Sequence, residues 1–435
     1  MSNLKPLPSQ MKPYILKTIT GWAIIIVTLF SVWLILYFQN FSIPFLLFLI
    51  FELFVIIRFR TLFSPAMITV SRYLLGLLFL FSGFVKGVDP LGTTYRVEDY
   101  FIAFGLDWMM PSAVFFSFVL NAAELVLGGL LVLNVKPKLT AWLVLLMMVF
   151  FTFITLNDAF NNPVPDCGCF GDVLIMSNWQ TFYKNLVINA LVLIIFLNRD
   201  KLTMSYRNST EWTLGFALIA FFIGFQYLNY INLPMIDFRS WKVGNRLFAE
   251  NPQPVKYYLT FKNNQTGKTK EYLSPDYPFD DPDWVNKWEF VHQRVEDPNR
   301  IPGMDLAIID FGGHDVTNDY LKNPDYQFFV VAWDLASTNP ESFKKIEQLY
   351  KQADENAYSF IVLTATLPDK IQYFLERENL TFDMLFFNAD DIALKTMIRS
   401  NPGLILIKDG EIIDKWHYNF IPDWSDLEED YLKNN

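Results

Sequence analysis

The only two cysteines of the chain lie one residue apart, in the stretch Asp166-Cys167-Gly168-Cys169-Phe170-Gly171-Asp172. Two thiols this close can share a metal ion, form a disulfide or exchange with another thiol or disulfide. We expect no metal site, because two thiolates do not complete a zinc site and the three histidines lie far along the chain. The first question is therefore what a pair of neighbouring thiols does.

A disulfide between Cys167 and Cys169 would close a very small loop, so it would remove little entropy from the unfolded chain. The Cα atoms of such residues lie near the upper end of the usual disulfide range, which makes a bridge strained and reducible. Gly168 gives the backbone the freedom to form it. The pattern favours redox exchange as the chemistry of Cys167 and Cys169. A structural disulfide and two unreactive thiols stay open as alternatives.

The segments of the chain on either side of the cysteine pair are apolar, as is much of the first half of the chain. The chain is 52% hydrophobic and contains 43 phenylalanines among 435 residues, which is typical of a membrane protein. Seven apolar runs approach the length that crosses ~30 Å of hydrocarbon. The predicted spans cover residues 18–38, 42–58, 66–87, 111–134, 138–157, 178–198 and 211–229. The second is the shortest and contains Glu52.

Lys and Arg in the short connections predict the orientation. Ten of these residues fall on the N-terminal side of the predicted membrane and two on the other, where the cysteine loop lies. Basic loops face the cytoplasm, so we expect a cytoplasmic N-terminus in a bacterial inner membrane. The cysteine loop and the C-terminal part would then face the periplasm. The ten basic residues are Lys5, Lys12, Lys17, Arg58, Arg60, Lys136, Lys138, Arg199, Lys201 and Arg207.

The C-terminal part, residues 233–435, is predicted to be a soluble acidic domain. Residues 231–435 carry 21 basic and 34 acidic side chains, so this part has a strongly negative net charge. A negative surface repels nucleic acid, which argues against nucleic acid as a partner. Strand-like and helix-like segments alternate from Gln327, which predicts a layered α/β sheet ending in an antiparallel pair around Asp409-Gly410. The predicted strands are 255–261, 268–273, 306–311, 328–333, 359–365, 383–387, 404–408 and 411–417, with helices at 341–353, 368–378 and 391–399.

Charged residues inside the predicted spans each need a partner, because burying a charge in lipid is costly. Arg72 and Glu124 lie at similar depths on neighbouring spans, so we expect them to pair, with Glu52 as a competing partner for Arg72. A structural salt bridge and a direct catalytic role are both open for this pair.

Three further charges lie toward the outer face, namely Lys86, Asp158 and Lys184. Lys184 follows the cysteine loop, and a nearby ammonium favours thiolate over thiol. The alternative is that Lys184 extends to the membrane surface. We treat Lys86, Lys184, Asp158, Arg72 and Glu124 as charges that support the cysteine pair.

Motifs in the third and fourth spans resemble known families. The pattern Arg72-xxx-Gly76-xx-Phe79-xx-Ser82-Gly83-xx-Lys86-xx-Asp89-Pro90, followed by Glu124-xxx-Gly128, resembles the DoxX and MauE membrane families. The Cys167-Gly168-Cys169-Phe170-Gly171 loop is similar to the MauE branch, the methylamine utilisation proteins. The resemblance covers residues 66–200. It implies a four-helix membrane bundle, thiol redox chemistry or protein maturation, and a quinone as possible cofactor.

The C-terminal part is similar to the thioredoxin fold in element order. Ser400-Asn401-Pro402-Gly403 resembles the proline loop of that fold, and Pro402 would occupy the position usually held in cis. The segment after the first strand, residues 332–340, contains no cysteine. The resemblance therefore implies partner binding beside Pro402 without dithiol chemistry.

These observations predict a mainly helical membrane protein with seven transmembrane helices and a C-terminal α/β thioredoxin-like domain. The predicted parts are two N-terminal spans (1–62), a DoxX/MauE-like four-helix bundle (63–202), a seventh span (203–232) and the outer domain (233–435). The leading hypothesis is quinone-linked thiol–disulfide exchange with a periplasmic thiol or disulfide protein. The rival hypothesis is a scaffold whose acidic outer domain binds a periplasmic partner. Enzymatic activity as a membrane thiol–disulfide oxidoreductase is left open between the two.

Overall fold

The computed structural model describes residues 11–37, 42–203, 206–249, 253–299, 301, 304–380 and 384–433. Lys5, Phe38 and Asp383, which belong to the predicted segments above, lie outside the described residues. The chain divides into two compact units, the first ending at Ile236 and the second beginning at Asp237.

The first unit is helical. Its helices are α1 (Met11–Tyr37), α2 (Ile43–Arg58), α3 (Pro65–Val88), α4 (Pro90–Ala103), α5 (Ala113–Leu133), α6 (Pro137–Asn161), α7 (Asn178–Leu197) and α8 (Asn208–Ile231). Six of the helices in the described part are long and apolar enough to cross a membrane, namely all except α2 and α4. The protein is therefore a membrane protein.

Helix α2 occupies the second predicted span but has only 16 residues. At 1.5 Å per residue it reaches about 24 Å, less than the ~30 Å of a bilayer core. The prediction of seven spans is thus not confirmed and stays a prediction.

Glycines set the packing of α3 against α5. A Cβ atom on Gly83 would lie 2.6 Å from the backbone nitrogen of Leu125, and one on Gly128 would lie 2.7 Å from that of Leu80. Small residues of this kind let two helix backbones approach closely within a membrane. The contacts also define the register of the two helices, since Gly76 faces Gly128 while Gly83 faces Leu125.

Helix α4 was not predicted. It follows α3 directly, because Asp89 ends α3 and caps α4 by accepting from the backbone N–H of Gly92, with Pro90 in the first turn. Val97 and Phe101 bury one side of α4 against Ala113 at the start of α5. The connection between the third and fourth predicted spans is therefore a packed helix rather than a loop.

The second unit contains two sheets. A three-stranded antiparallel sheet has the order β2 (Thr269–Leu273), β1 (Lys256–Asn263), β3 (Trp288–Glu296). A five-stranded mixed sheet has the order β6 (Leu385–Asn388), β5 (Ser359–Thr364), β4 (Tyr326–Val331), β7 (Gly403–Lys408), β8 (Glu411–His417). The remaining helices are α9 (Pro282–Val285), α10 (Thr317–Leu321), α11 (Pro340–Glu355), α12 (Pro368–Arg377), α13 (Asp391–Met397) and α14 (Trp424–Leu427).

Buried apolar strands form the centre of the larger sheet. In β4 every residue from Phe328 to Val331 is inaccessible to solvent, and β5 and β7 flank it in parallel and antiparallel pairing respectively. Strand β8 returns from β7 through Asp409 and Gly410 as predicted. The alternating strands and helices from β4 onward agree with the predicted α/β layering.

Two strand predictions in the second unit were incomplete. The segment 306–311 is not a strand, and only Ile309 makes isolated bridges, to Asp315 and Asn388. Strand β3 was missed, although it pairs with β1 along its whole length. Its mostly exposed side chains mix apolar and charged residues, so it lacks the apolar run on which the other strand predictions depended.

Candidate functional site

The cysteine loop joins α6 to α7 and is closed at its base by Asn178. The side-chain amide of Asn178 donates to Asn162 Oδ1 at 2.8 Å and to the carbonyl oxygen of Val164 at 2.9 Å. Ser177 caps α7 by accepting from the backbone N–H of Gln180. Because both ends of the loop are held, the two cysteines are presented in a defined place.

Asp166 and Arg96 shape the turn that carries the thiols. Asp166 Oδ1 accepts from the backbone N–H of Gly168 at 2.9 Å, and Asp166 Oδ2 accepts from Arg96 Nη2 at 2.6 Å. Gly168 has φ +62°, and a Cβ atom there would lie 3.0 Å from Arg96 Cγ. The turn therefore requires glycine at position 168, both for its backbone conformation and for the approach of Arg96.

Cys167 and Cys169 are both free and half-buried, with their Sγ atoms 3.3 Å apart. Their hydrogen bond lowers the pKa of Cys169 to about 5 and raises the pKa of Cys167. Burial opposes ionisation of both thiols, while Lys184 and then Lys86 lower the pKa of Cys169 electrostatically. The pair thus holds a thiolate at Cys169 beside a thiol at Cys167 at neutral pH.

Lys86, Glu124 and Ser82 connect the loop to the helices beneath it. Lys86 Nζ lies 2.5 Å from Glu124 Oε1, and the Ser82 hydroxyl lies 2.6 Å from Glu124 Oε2 and 2.7 Å from the carbonyl oxygen of Cys169. All three side chains are buried. The predicted supporting charges Lys86 and Glu124 are therefore brought together directly under Cys169, and Ser82 is a site residue that the sequence prediction omitted.

Lys184 lies beside the loop, one of the two positions considered for it. Its ammonium is 4.8 Å from the centre of the Phe170 ring, and it contributes to lowering the pKa of Cys169. Phe170 is buried and packs at 6.0 Å against Phe81, which is 49% exposed on the bundle surface. Lys184 is thus a charge that favours the Cys169 thiolate.

Asp158 reaches the cysteine pair through Tyr100 of α4. The Tyr100 hydroxyl donates to Asp158 Oδ2 at 2.6 Å, and Tyr100 also interacts with the side chain of Cys167. Burial and the hydrogen bond to the Asp158 carboxylate raise the pKa of Tyr100 strongly, so it stays a neutral donor. Arg96 and Tyr100 are one turn apart on α4, and Asp89-Pro90 before them was the signal that would have located this helix.

The cysteine loop and the helices around it, α3 to α7, lie in the part of the chain that is similar to a known protein family. Residues 64–198 match the family model described as methylamine utilisation protein MauE. We call this range the MauE segment. It extends from the start of α3 to the end of α7 and includes every site residue named so far in this section. No curated protein and no solved structure matches the chain.

Arg72 of the MauE segment does not pair with Glu124, so this expectation was wrong. Arg72 Nη1 instead donates to the backbone carbonyl oxygens of Leu131 and Val132 near the end of α5. The register of α3 against α5 decides the outcome, because it places Lys86 rather than Arg72 beside Glu124. Arg72 therefore has a structural contact remote from the thiols.

Glu52, the alternative partner for Arg72, is buried and accepts from the hydroxyl of Thr28 on α1. This contact joins α1 and α2.

Within the described ranges no group of three or more His, Cys, Asp or Glu side chains is arranged to hold a metal ion.

Pro402 lies in the second unit, at the start of β7. The Asn401–Pro402 peptide bond is cis and Pro402 is buried. The Asn401 amide donates to the carbonyl oxygen of Asp334 at 2.9 Å and to Ser337 Oγ at 3.2 Å. The proline loop and the segment after β4 are therefore joined, and Ser337 is exposed beside them.

Proposed function

We propose that the protein is a membrane thiol–disulfide exchange protein and that Cys167 and Cys169 are its reacting groups. The observation that carries the proposal is the 3.3 Å approach of the two free thiols, with Lys86 and Lys184 acting on the Cys169 thiolate. A low thiol pKa produced by neighbouring cations is a property of exchanging cysteines. The match of residues 64–198 to MauE agrees with a membrane setting for this chemistry.

The chemistry follows from the two different thiols. The Cys169 thiolate attacks one sulfur of a partner disulfide, so that a mixed disulfide forms and the other partner sulfur leaves and takes up a proton. Cys167 then loses its proton and attacks Cys169 Sγ, which releases the second partner sulfur. Two electrons pass to the partner, whose two sulfurs take up protons from water, while Cys167 gives up its own proton and the Cys167–Cys169 disulfide forms. The reverse sequence oxidises a partner dithiol.

The charges around the pair have separate tasks in this proposal. Lys86 and Lys184 stabilise the thiolate at Cys169, both as attacking group and as leaving group. Glu124 holds Lys86 in place through the 2.5 Å ion pair, and Ser82 fixes the backbone of Cys169. Arg96 and Asp166 hold the Gly168 turn so that the two sulfurs stay within reach of each other.

A quinone is the electron acceptor that we propose for reoxidation of the pair. Phe81 is half exposed beside the loop, and Lys184 lies next to the Phe170 ring against which Phe81 packs. An aromatic surface next to an ammonium fits a quinone ring and its carbonyl oxygen. When bound, a quinone would accept two electrons and two protons.

We further propose the orientation and the role of the second unit. The basic residues Arg199, Lys201 and Arg207 between α7 and α8 favour the cytoplasm for that connection. If α7 and α8 both cross the membrane, the cysteine loop and the second unit share the periplasmic side, whatever the path of α2. The protein would then lie in a bacterial inner membrane, and its N-terminus would be cytoplasmic if α2 crosses as a seventh span.

The second unit would bind the partner. Its mixed sheet and cis Asn401–Pro402 bond support a thioredoxin-like fold without cysteines. Because Pro402 is buried, we assign contact with an extended partner segment to its exposed neighbour Ser337. Ser337→Glu should slow reaction with a protein partner and leave reaction with a small aromatic disulfide unchanged. If Ser337→Glu slows the two reactions equally, Ser337 does not contact the protein partner.

The redox state of the pair in cells tests the proposed function. Cells are acidified rapidly, and free thiols are tagged with a mass label before and after reduction. We expect a fraction of the chains to carry an oxidised pair, and the Cys167→Ser/Cys169→Ser variant to lose function. A pair that is always reduced, together with a fully functional double variant, would exclude redox exchange and leave the scaffold hypothesis.

A further inference from the structure

Asp158 is a buried carboxyl group that the exchange scheme above does not use. It is 1% exposed near the end of α6, and its Oδ1 atom is buried without a hydrogen-bond partner in the described part of the chain. Its Oδ2 atom accepts from Tyr100. A carboxyl group buried with one open oxygen is costly to keep ionised, so it is suited to accept a proton.

Tyr100 lies between that carboxyl group and one thiol only, that of Cys167. Its single hydroxyl proton is donated to Asp158 Oδ2 at 2.6 Å, so towards the neighbouring Cys167 the Tyr100 oxygen can act only as an acceptor. Glu124 is differently placed, because Lys86 neutralises it and Ser82 links it only to the backbone oxygen of Cys169. A backbone carbonyl has no proton to pass on, so Glu124 has no comparable route to a sulfur atom.

We propose that Asp158, acting through the Tyr100 hydroxyl, exchanges the proton of Cys167 during thiol–disulfide exchange. This inference rests on the proposed function. As Cys167 attacks Cys169 Sγ, its proton passes to Tyr100 Oη while the Tyr100 proton passes to Asp158 Oδ2. Cys167 becomes the nucleophile, Asp158 becomes neutral and Tyr100 is unchanged. In the reverse direction the same path returns a proton to Cys167 as it leaves.

The need for this relay follows from the asymmetry of the two thiols. Cys169 is a ready nucleophile, whereas Cys167 keeps its proton beside the Cys169 sulfur. The titratable groups that interact with Cys167 are Cys169, Tyr100 of α4 and Lys184 of α7, with Lys86 of α3 beyond them. Asp166 precedes Cys167 in the loop, but its carboxylate is paired with Arg96 and the backbone N–H of Gly168. Asp158 faces Tyr100, its neighbour Asn157 and the charge of Cys169. Among these groups Asp158 is the one carboxyl group linked to Cys167.

The test uses the purified full-length protein in its reduced form and a chromogenic aromatic disulfide. One thiolate chromophore is released when the mixed disulfide forms, and a second when Cys167 closes the pair. We expect Asp158→Asn and Tyr100→Phe to leave the first release unchanged and to slow the second by roughly 10-fold or more at pH 7. The Asp158→Asn/Tyr100→Phe double variant should be no slower than either single variant.

The pH profile separates proton transfer from a structural role. The defect in the second release should shrink above pH ~9, where hydroxide removes the proton of an ordinary thiol directly. Asp107→Asn is the matched control, because Asp107 is exposed and lies outside the site. Tyr100→Phe keeps the ring that stacks on Phe104, so it decides the outcome if Asp158→Asn does not fold.

The opposing outcomes are distinct. Both releases slowed equally, or a second release unchanged in both variants, would overturn the relay while leaving exchange intact. If the wild-type chain releases no more chromophore than its Cys167→Ser/Cys169→Ser variant, exchange itself is absent and both proposals are overturned.

Discussion

The hydroxyl of Ser82 lies 2.7 Å from the carbonyl oxygen of Cys169, which ties the thiol loop to α3. Ser82→Ala removes this contact and the contact to Glu124, so we expect the free energy of unfolding to fall by about 1–2 kcal/mol. Amide hydrogen exchange in residues 167–171 should also accelerate. Thr213→Ala is the control, because its hydroxyl bonds only within α8 and is exposed. Unchanged exchange in the loop would show that Ser82 does not hold it.

The two thiols should differ in their reactivity toward iodoacetamide. With its pKa lowered to about 5, Cys169 is a thiolate at neutral pH, so its alkylation should fall only below pH ~5. The pKa of Cys167 is raised, so that thiol should react appreciably only in alkaline solution. Quantifying each labelled cysteine by mass spectrometry after short exposures checks both profiles. Identical profiles with one midpoint near the ordinary thiol pKa would contradict the asymmetry.

Gly83 should tolerate no side chain. Gly83→Ala would place a Cβ atom 2.6 Å from the backbone nitrogen of Leu125, so α3 must move away from α5. We expect a loss of about 1–3 kcal/mol in unfolding free energy and slower exchange, since Lys86 moves with α3. Gly224→Ala in α8 is the matched control, because nothing lies within 4 Å of its Cβ position. It should be neutral or stabilising by up to about 1 kcal/mol. Equal stability of the two variants would contradict the close helix contact.

His417 should make the second unit sensitive to acid. Burial lowers the pKa of His417 to about 4, below the ordinary 6.5, and its Nδ1 atom accepts from the backbone N–H of Asn419. Between pH 6.5 and 4 the unfolded chain therefore binds a proton that the folded chain does not, so stability falls as the pH falls. We expect His417→Asn, which keeps an acceptor, to remove about 1–2 kcal/mol of this loss. If the free energy of unfolding falls with pH equally in the wild-type and His417→Asn chains, His417 is not the source of the acid sensitivity.

The sequence was informative where a feature depends on local composition. The spacing of Cys167 and Cys169, the apolar runs and the strand–helix alternation after Gln327 are such features. For Lys184 the sequence left two positions open, beside the cysteine loop that it follows or at the membrane surface. The long apolar helices, the strand–helix alternation after Gln327 and the two thiols could therefore be predicted without a structure, whereas α4 and β3 could not.

Helix register and connections between remote segments could not be predicted in this way. Arg72 and Glu124 lie at similar predicted depths, but the glycine contacts of α3 with α5 place Lys86 beside Glu124. Arg96 and Tyr100 reach the loop only because α4 packs across the start of α5, a tertiary contact. Pair formation inside a bundle depends on such packing more than on depth in the membrane.

Covalent trapping of a partner tests the central claim most directly. Cys167→Ser leaves Cys169 as nucleophile but removes the group that resolves the mixed disulfide, whereas Cys169→Ser removes the nucleophile. Membranes from cells that express each full-length variant are alkylated and separated with and without reductant. We predict reductant-sensitive adducts of the Cys167→Ser chain that are absent from the Cys169→Ser chain. No adduct with either variant, in cells that still require the protein, would contradict exchange at this pair.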